Sequence, residues 1–300
     1  MSAARMHADQ LEIDATLVRR LVASQFPHWS ELPLEAVASD GTVNALYRLG
    51  DALAVRLPLR RAGEASLRKE RDWLPRLAPQ LPLAIPEPVA CGAPAEDYPC
   101  EWSIFRWLDG ETWLDERVAD PCRAARDLAR FVVALRRVDP GGGPHNRRGD
   151  RGWPLEIREG WVSDALVALE GEVDVRAARA VWDVARDAPG WDGPPVWFHG
   201  DLRASNLLLR GGHLSAAIDF GTAGVGDPAC DQAAAWRLFA GESRAVFRRE
   251  LAGDAASWAR ARGWALSSAL LELAYYRGGR NPGIVAQARR ALAELLAELR

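Results

Sequence analysis

Lysine is almost missing from these 300 residues: of 38 basic side chains only Lys69 carries an amine, and the rest are arginines. A fixed cation in this chain must therefore be a planar guanidinium, which is not equivalent to a compact ammonium at a phosphate or a carboxylate. Cysteine is sparse as well. Cys91, Cys100, Cys122 and Cys230 form no CxxC pair, and no histidine cluster accompanies them. That excludes the common zinc motifs, argues against a disulfide framework and fits reduced thiols in the cytoplasm. No apolar run is long enough to span a bilayer, and residues 1–14 lack an apolar core of signal-peptide length, so no membrane partner is expected. Neither sign of charge dominates; a net charge of −3 disfavours nucleic acid as a general partner. Oligomeric state leaves no trace in the pattern.

What is present is ample apolar material, 48% of the chain, enough for one large domain or two lobes. The most informative stretch runs from Trp197 through His199-Gly200-Asp201 and Asn206 to Leu207-Leu208-Leu209, then through Gly211-Gly212 to Ile218-Asp219-Phe220-Gly221. The leucines predict a short buried strand, the paired glycines a turn, and the following apolar residues a returning strand. Such a hairpin carries Asp219 back beside Asn206. Two carboxylates and an amide then share one small volume, an arrangement that calls for a bridging cation.

HGDLRASN followed by IDFG resembles the H-x-D-x-x-x-x-N and D-F-G motifs of the protein-kinase fold. The glycine after His199 and the continuation GDPACDQAAAW are similar to the small-molecule branch, the aminoglycoside phosphotransferase and choline kinase group. The resemblance covers nearly the whole chain and implies an α+β, bilobal protein-kinase-like fold. A small β-rich nucleotide lobe would span residues 1–105, a hinge 106–110 and a larger helical lobe 111–300. It further implies that Asp201 is the catalytic base and that Asn206 and Asp219 bind Mg²⁺ carrying ATP or GTP. Arg203 would stand where many protein kinases place a cation that helps neutralise the transferring phosphoryl group; many antibiotic kinases have His there. His199, preceded by Trp197 and Phe198, reads as a packed structural residue, and Asp231 resembles a position that steadies the catalytic loop by hydrogen bonding. Asp227 is a candidate cap for the helix opened by Pro228.

In the N-terminal part, Leu17, Val18, Leu21, Val22 and Phe26 follow a candidate Asp14 cap at helical spacing. Residues 36–57 read as strands, broken by a first turn at 40–44 and a tight turn at Gly50-Asp51. In the resembled family the first turn covers the nucleotide; here Gly41 is its only glycine. Alternation along Leu53–Leu57 puts Ala54 and Arg56 on one face. A small residue beside a cation suits a flat base and its phosphates, although the resembled pattern has Lys at position 56. Residues 64–77 read as a helix with Leu67 and Leu74 on its buried stripe and Glu70 turned inward between them. An inward carboxylate needs a partner, and Arg56 is the candidate, with a surface pair to Arg71 or Lys69 as the alternative. By resemblance, Phe105 backs the adenine pocket, and the carbonyl of Arg106 and the N–H of Leu108 receive the base.

The helical part begins with Asp120 capping and Pro121 opening a helix whose buried stripe includes Leu128 and Val132. Residues 139–152 read as a Gly-, Pro- and Arg-rich loop, substrate-facing or mobile. Glu156, Glu159, Trp161 and Asp164 follow, able to receive a cationic sugar or to form a solvated face; Arg147, Arg148 and Arg151 count against a polycation site. The expected activity is therefore ATP- or GTP-dependent O-phosphorylation of a hydroxylated small molecule, with an aminoglycoside-type antibiotic as the first acceptor to expect. The alternatives are a macrolide or an amino alcohol, a non-catalytic nucleotide-binding pseudokinase, or a protein kinase. The last is disfavoured by the lack of an Ala-Pro-Glu segment after Asp219.

Overall fold

The computed structural model describes residues 10–37, 43–95, 97–278 and 281–298. The chain divides into two compact units, Met1–Pro79 with Ala84–Asp109, and Gln80–Leu83 with Gly110–Arg300.

The first unit is organised by alternation. Helix α1 (Ala15–Gln25) starts where the Asp14 carboxylate accepts the Leu17 N–H at 2.7 Å, satisfying one of the N–H groups a helix start leaves open. Five strands follow: β1 (Leu34–Ala36), β2 (Asn44–Leu49), β3 (Leu53–Pro58), β4 (Pro88–Gly92) and β5 (Trp102–Arg106), antiparallel in the order β1-β2-β3-β5-β4. Leu53, Val55 and Leu57 of β3 project to one face and bury against Leu17, Val18, Leu21, Val22, Trp102 and Ile104. A fully buried Val or Leu contributes about 1.5–3 kcal/mol, so this period-two face is what fixes the register. On the opposite face stand Ala54 and Arg56. Helix α2 (Glu64–Leu77), bounded as its periodicity predicts, buries Leu67, Glu70, Leu74 and Leu77.

The second unit is mainly helical. Helix α3 (Pro121–Arg137) is capped by Asp120, which accepts the Arg123 N–H at 2.9 Å. A short strand β6 (Glu111–Thr112) precedes it, and α4 (Glu159–Ala168) and α5 (Val175–Arg186) follow. Strand β7 (Val196–Phe198) leads into the motif region, where β8 (Leu207–Arg210) and β9 (His213–Ala217) form the expected hairpin. Its turn residues Gly211 and Gly212 have φ of +58° and +77°, the left-handed pair that a tight hairpin turn needs. Strand β10 (Gly224–Gly226) pairs with β7. Helices α6 (Ala229–Gln232), α7 (Ala234–Arg237), α8 (Gly241–Leu251), α9 (Ala255–Tyr276) and α10 (Pro282–Ala297) complete the unit. The 22-residue α9 is buried along most of its length and packs against α4, α5, α6, α7 and α10, so any charge it turns inward lies deep in the unit. Trp236, Trp258 and Trp264 are core residues. Among the described residues no helix is long and apolar enough to cross a membrane.

Candidate active site

The loop between β7 and β8 is held from beneath. Asp231, fully buried, accepts the N–H of His199 at 2.8 Å and of Gly200 at 2.7 Å. Burial pushes its carboxyl above the usual range despite those two N–H groups and the Arg136 guanidinium. The His199 ring lies 3.1 Å by Nε2 from the Ile218 carbonyl and accepts the Asp201 N–H at Nδ1, 3.2 Å. Both contacts are met by the neutral ring with its proton on Nε2, so His199 ties the loop to β9 as a structural residue. Asp227 is not the cap of α6, a position held by Pro228; it accepts the Ala229 N–H at 3.0 Å just before the helix and pairs with Arg260 at 2.8 Å.

Asp201, the one acid of the loop, is largely enclosed. Asn206 donates to its main-chain carbonyl and to its Oδ2, each at 2.9 Å. Arg203 Nε lies 3.1 Å from Oδ2, while Arg151 NH2 and Arg237 NH1 each stand 3.9 Å from Oδ1. Burial works to raise the carboxyl, but Arg203, Arg237 and Arg151 outweigh it and hold it at about 2. Arg203 in turn is pushed up by Asp201 against its burial, with help from Glu272 and Asp219.

Asn206 and Asp219 meet through the hairpin. The Ile218 N–H donates to the Asn206 carbonyl at 2.9 Å, and Leu207 pairs with Ala217. Asp219 has a left-handed backbone, φ +65° and ψ +72°, tolerable for a short polar side chain and typical of residues held in place for function. With both Asn206 amide hydrogens directed at Asp201, its Oδ1 is left as an acceptor, and Asp219 adds a carboxylate. Among the described residues no cluster of three or more His, Cys, Asp or Glu side chains could hold a metal alone. An amide oxygen and one carboxylate fit Mg²⁺, which keeps few protein ligands and completes its shell with water and phosphate oxygens.

In the first unit, Arg56 NH1 lies 2.8 Å from Glu70 Oε2, and Glu70 is buried. The Arg56 guanidinium also stacks 5.1 Å from the Phe105 ring centroid, and Ala54 is the cross-strand partner of Phe105. Arg106 is exposed with its N–H on the Glu87 carbonyl at 2.9 Å, Trp107 donates to the Ala52 carbonyl at 2.8 Å, and Leu108 is half-buried. Gly41 lies outside the described residues.

The loop over 139–152, expected to be substrate-facing or mobile, turns polar groups inward onto the motif region: Asn146 Nδ2 donates to the Thr222 carbonyl at 2.7 Å, and Arg151 Nε donates to the Gly200 carbonyl at 3.0 Å. Glu159, expected to receive a cationic sugar or to lie on a solvated face, is engaged by donors of the protein itself. It accepts from Trp182 Nε1 at 2.7 Å, Arg179 at 2.6 Å, Arg186 at 3.0 Å and Ser163 at 2.9 Å.

Three participants were not expected from sequence: Arg151, Arg237 and Glu272. Glu272 accepts from Arg237 NH2 at 2.8 and 3.1 Å and also lines a cavity of about 620 Å³ with Trp161, Asp164, Leu271, Tyr275 and Tyr276. Glu272 alone carried a signal, an acid among Leu270, Leu271 and Leu273 in an otherwise apolar run, since such a charge needs a buried partner.

Residues 35–264 match the family model described as the phosphotransferase enzyme family, APH. The chain belongs to that family. It is a small-molecule phosphotransferase with the protein-kinase-like α+β fold that its motifs imply. No curated protein matches it by sequence. Among solved structures it is similar to the GDP and kanamycin complex of APH(2")-IIIa (TM-score 0.70, 19% identity, covering 94% of this chain and 99% of that one). It is also similar to ADP-bound APH(2'')-Ib (TM-score 0.59, 18% identity, 95% and 97%). A third is macrolide 2'-phosphotransferase MphH from Brachybacterium faecium (TM-score 0.60, 22% identity, 94% and 97%). At such identities the phosphotransferase shares a fold with these proteins, and its acceptor must be argued from its own residues.

Proposed function

We propose that this phosphotransferase moves the terminal phosphoryl group of ATP or GTP to a hydroxyl of a small molecule held in the cavity beside Glu272. One observation carries the reading: Glu272 belongs both to the lining of that cavity and to the ion-pair cluster on Asp201. Acceptor space and candidate base thus share one residue, Glu272, within one unit.

Phosphoryl transfer asks a protein chiefly to align its partners and neutralise charge. A carboxylate held at about 2 is a weak proton abstractor but a permanently ionised hydrogen-bond acceptor. That suits Asp201 to orienting the attacking hydroxyl and taking its proton late, as leaving-group cleavage advances. Asn206 and Asp219 would hold Mg²⁺, which when bound supplies positive charge to the phosphate oxygens. Arg203 lies close enough to Asp219 and Asp201 to add a second positive group there. In the first unit, Ala54 and Phe105 offer a flat apolar seat for the base, with backbone groups of Arg106 and Leu108 at its edge. Arg56, oriented by Glu70, offers a cation to the phosphates. The GDP complex of APH(2")-IIIa and ADP-bound APH(2'')-Ib, both structurally similar, support a nucleotide donor of either base.

For the acceptor, the cavity's wall favours a macrolide over an aminoglycoside. Trp161, Leu271 and Tyr275 make it largely apolar, Glu159 is sequestered, and Glu272 is committed to Arg237. Asp164 is then the cavity acid without a cation partner among the described residues, which suits an apolar acceptor with one amine better than a polyamine. The test is a panel of macrolides, aminoglycosides and amino alcohols incubated with Mg²⁺ and ATP or GTP and read by mass spectrometry. A phosphorylated macrolide is expected. No phosphorylated product from any class would defeat the reading, and turnover of polyamines alone would defeat the acceptor assignment.

A further inference from the structure

Asp201 has two oxygens in unequal surroundings. Oδ2 is occupied, accepting from Asn206 Nδ2 at 2.9 Å and facing Arg203 Nε at 3.1 Å. Oδ1 faces Arg237 NH1 and Arg151 NH2 at 3.9 Å each, beyond hydrogen-bond length, and so keeps lone pairs for another donor. The cause of that gap lies on α9. Glu272 draws Arg237 NH2 to 2.8 and 3.1 Å, and its Oε1 also lies 3.7 Å from Arg203 NH1. Arg151 is restrained separately, through its bond to the Gly200 carbonyl. Three guanidinium groups thus share two carboxylates. The Arg237 side chain is 9% exposed and has little water to turn to if one carboxylate is lost.

We propose that Glu272 is a positioning residue: by holding Arg237 and Arg203 it keeps Oδ1 of Asp201 open to the acceptor hydroxyl. This rests on the phosphotransfer reading above. Deprived of Glu272, Arg237 has Asp201 as its nearest anion and closes the remaining distance to Oδ1. A guanidinium there brings a full positive charge as well as a hydrogen bond, which the O–H···O⁻ bond of an acceptor hydroxyl lacks, so the hydroxyl loses the competition. Because Glu272 also lines the acceptor cavity, the group that keeps the base open lies beside the molecule that uses it.

Glu272→Gln preserves the shape of the side chain and removes its charge. The expected result is a kcat at saturating acceptor lowered roughly tenfold or more, with the nucleotide KM unchanged, and an intermediate kcat for Glu272→Asp. Adding Arg237→Gln to Glu272→Gln removes the released cation and should restore part of the lost kcat, which relief of a folding defect would not do. Two results overturn the inference: Glu272→Gln raising only the acceptor KM, or the double variant turning over no faster than Glu272→Gln alone. Absence of transfer by the unmodified protein would instead defeat the phosphotransfer reading itself, and this inference with it.

Discussion

Asn206 gives both of its amide hydrogens to one neighbour, Asp201, reaching the main-chain carbonyl and Oδ2 at 2.9 Å each. One side chain thereby orients the candidate base and keeps its own oxygen for the proposed Mg²⁺. Asp201→Asn should leave nucleotide affinity nearly intact while lowering turnover by ~10²–10⁴, the usual worth of a positioned acid or base. Asp219→Ala should weaken Mg²⁺-dependent nucleotide binding as well. Calorimetric titration alongside steady-state kinetics separates the two, and near-normal turnover in Asp201→Asn would remove the assigned base.

The Arg56–Glu70 pair makes a second prediction, in the first unit. Glu70 is 1% exposed, so removing Arg56 takes the neighbouring positive charge from a desolvated carboxylate. Arg56→Met should destabilise the protein by about 3–5 kcal/mol, and Arg56→Met with Glu70→Leu should recover most of it, since a well-packed apolar pair often equals a buried ion pair. Urea unfolding of the single and double variants decides this. Equal losses in both would mean that packing of the guanidinium on Phe105 matters more than charge.

That pair also shows what was legible beforehand. Glu70 falls between Leu67 and Leu74 at helical spacing, and Arg56 alternates away from Leu53, Val55 and Leu57, so two local periodicities suffice to point the side chains at each other. The hairpin from Leu207 to Asp219 was equally readable, because a double-glycine turn and the motif spacing are local features. The arginines around Asp201 were not. Arg151 is 50 residues before it and Arg237 is 36 after, and in a chain with 38 basic residues nothing nearby distinguishes a buried guanidinium from a solvated one. For the same reason the Arg-rich loop over 139–152 read only as substrate-facing or mobile: its inward bonds to Gly200 and Thr222 depend on chain brought in from far along the sequence.

Gly200 has φ of +83°, and a methyl group there would lie 2.9 Å from the Thr222 carbonyl oxygen and 3.1 Å from Arg151 Cγ. Gly200→Ala should cost roughly 1–2 kcal/mol for the left-handed backbone alone, plus whatever the crowding adds. Since its N–H holds the loop to Asp231, turnover should suffer more than the melting temperature does. Parallel thermal melts and kinetics test this; full activity in the variant would mean that the loop relaxes freely.

Glu159 carries the pH dependence. Burial opposes its charge, but hydrogen bonds from Trp182, Arg179, Arg186 and Ser163 prevail and bring the carboxyl from 4.5 to about 2. The folded-state value is depressed, so the stabilisation is fully present above the unfolded carboxylate range and is lost as pH falls toward 2. Glu159→Gln should therefore melt lower than the unmodified protein near neutrality and converge with it in acid. Parallel melting curves between pH 7 and about 2 would contradict this.

Arg56 occupies the place where the related kinase pattern has an amine, and Lys69 is the chain's one side-chain amine. Acylating nucleotide probes, which report occupancy of a kinase pocket by transferring an acyl group to such an amine, would find no nucleophile at position 56. If Arg56 takes the phosphates as proposed, surveys built on that chemistry would miss the label at this position. A photoreactive nucleotide, which needs no amine, would be the appropriate label.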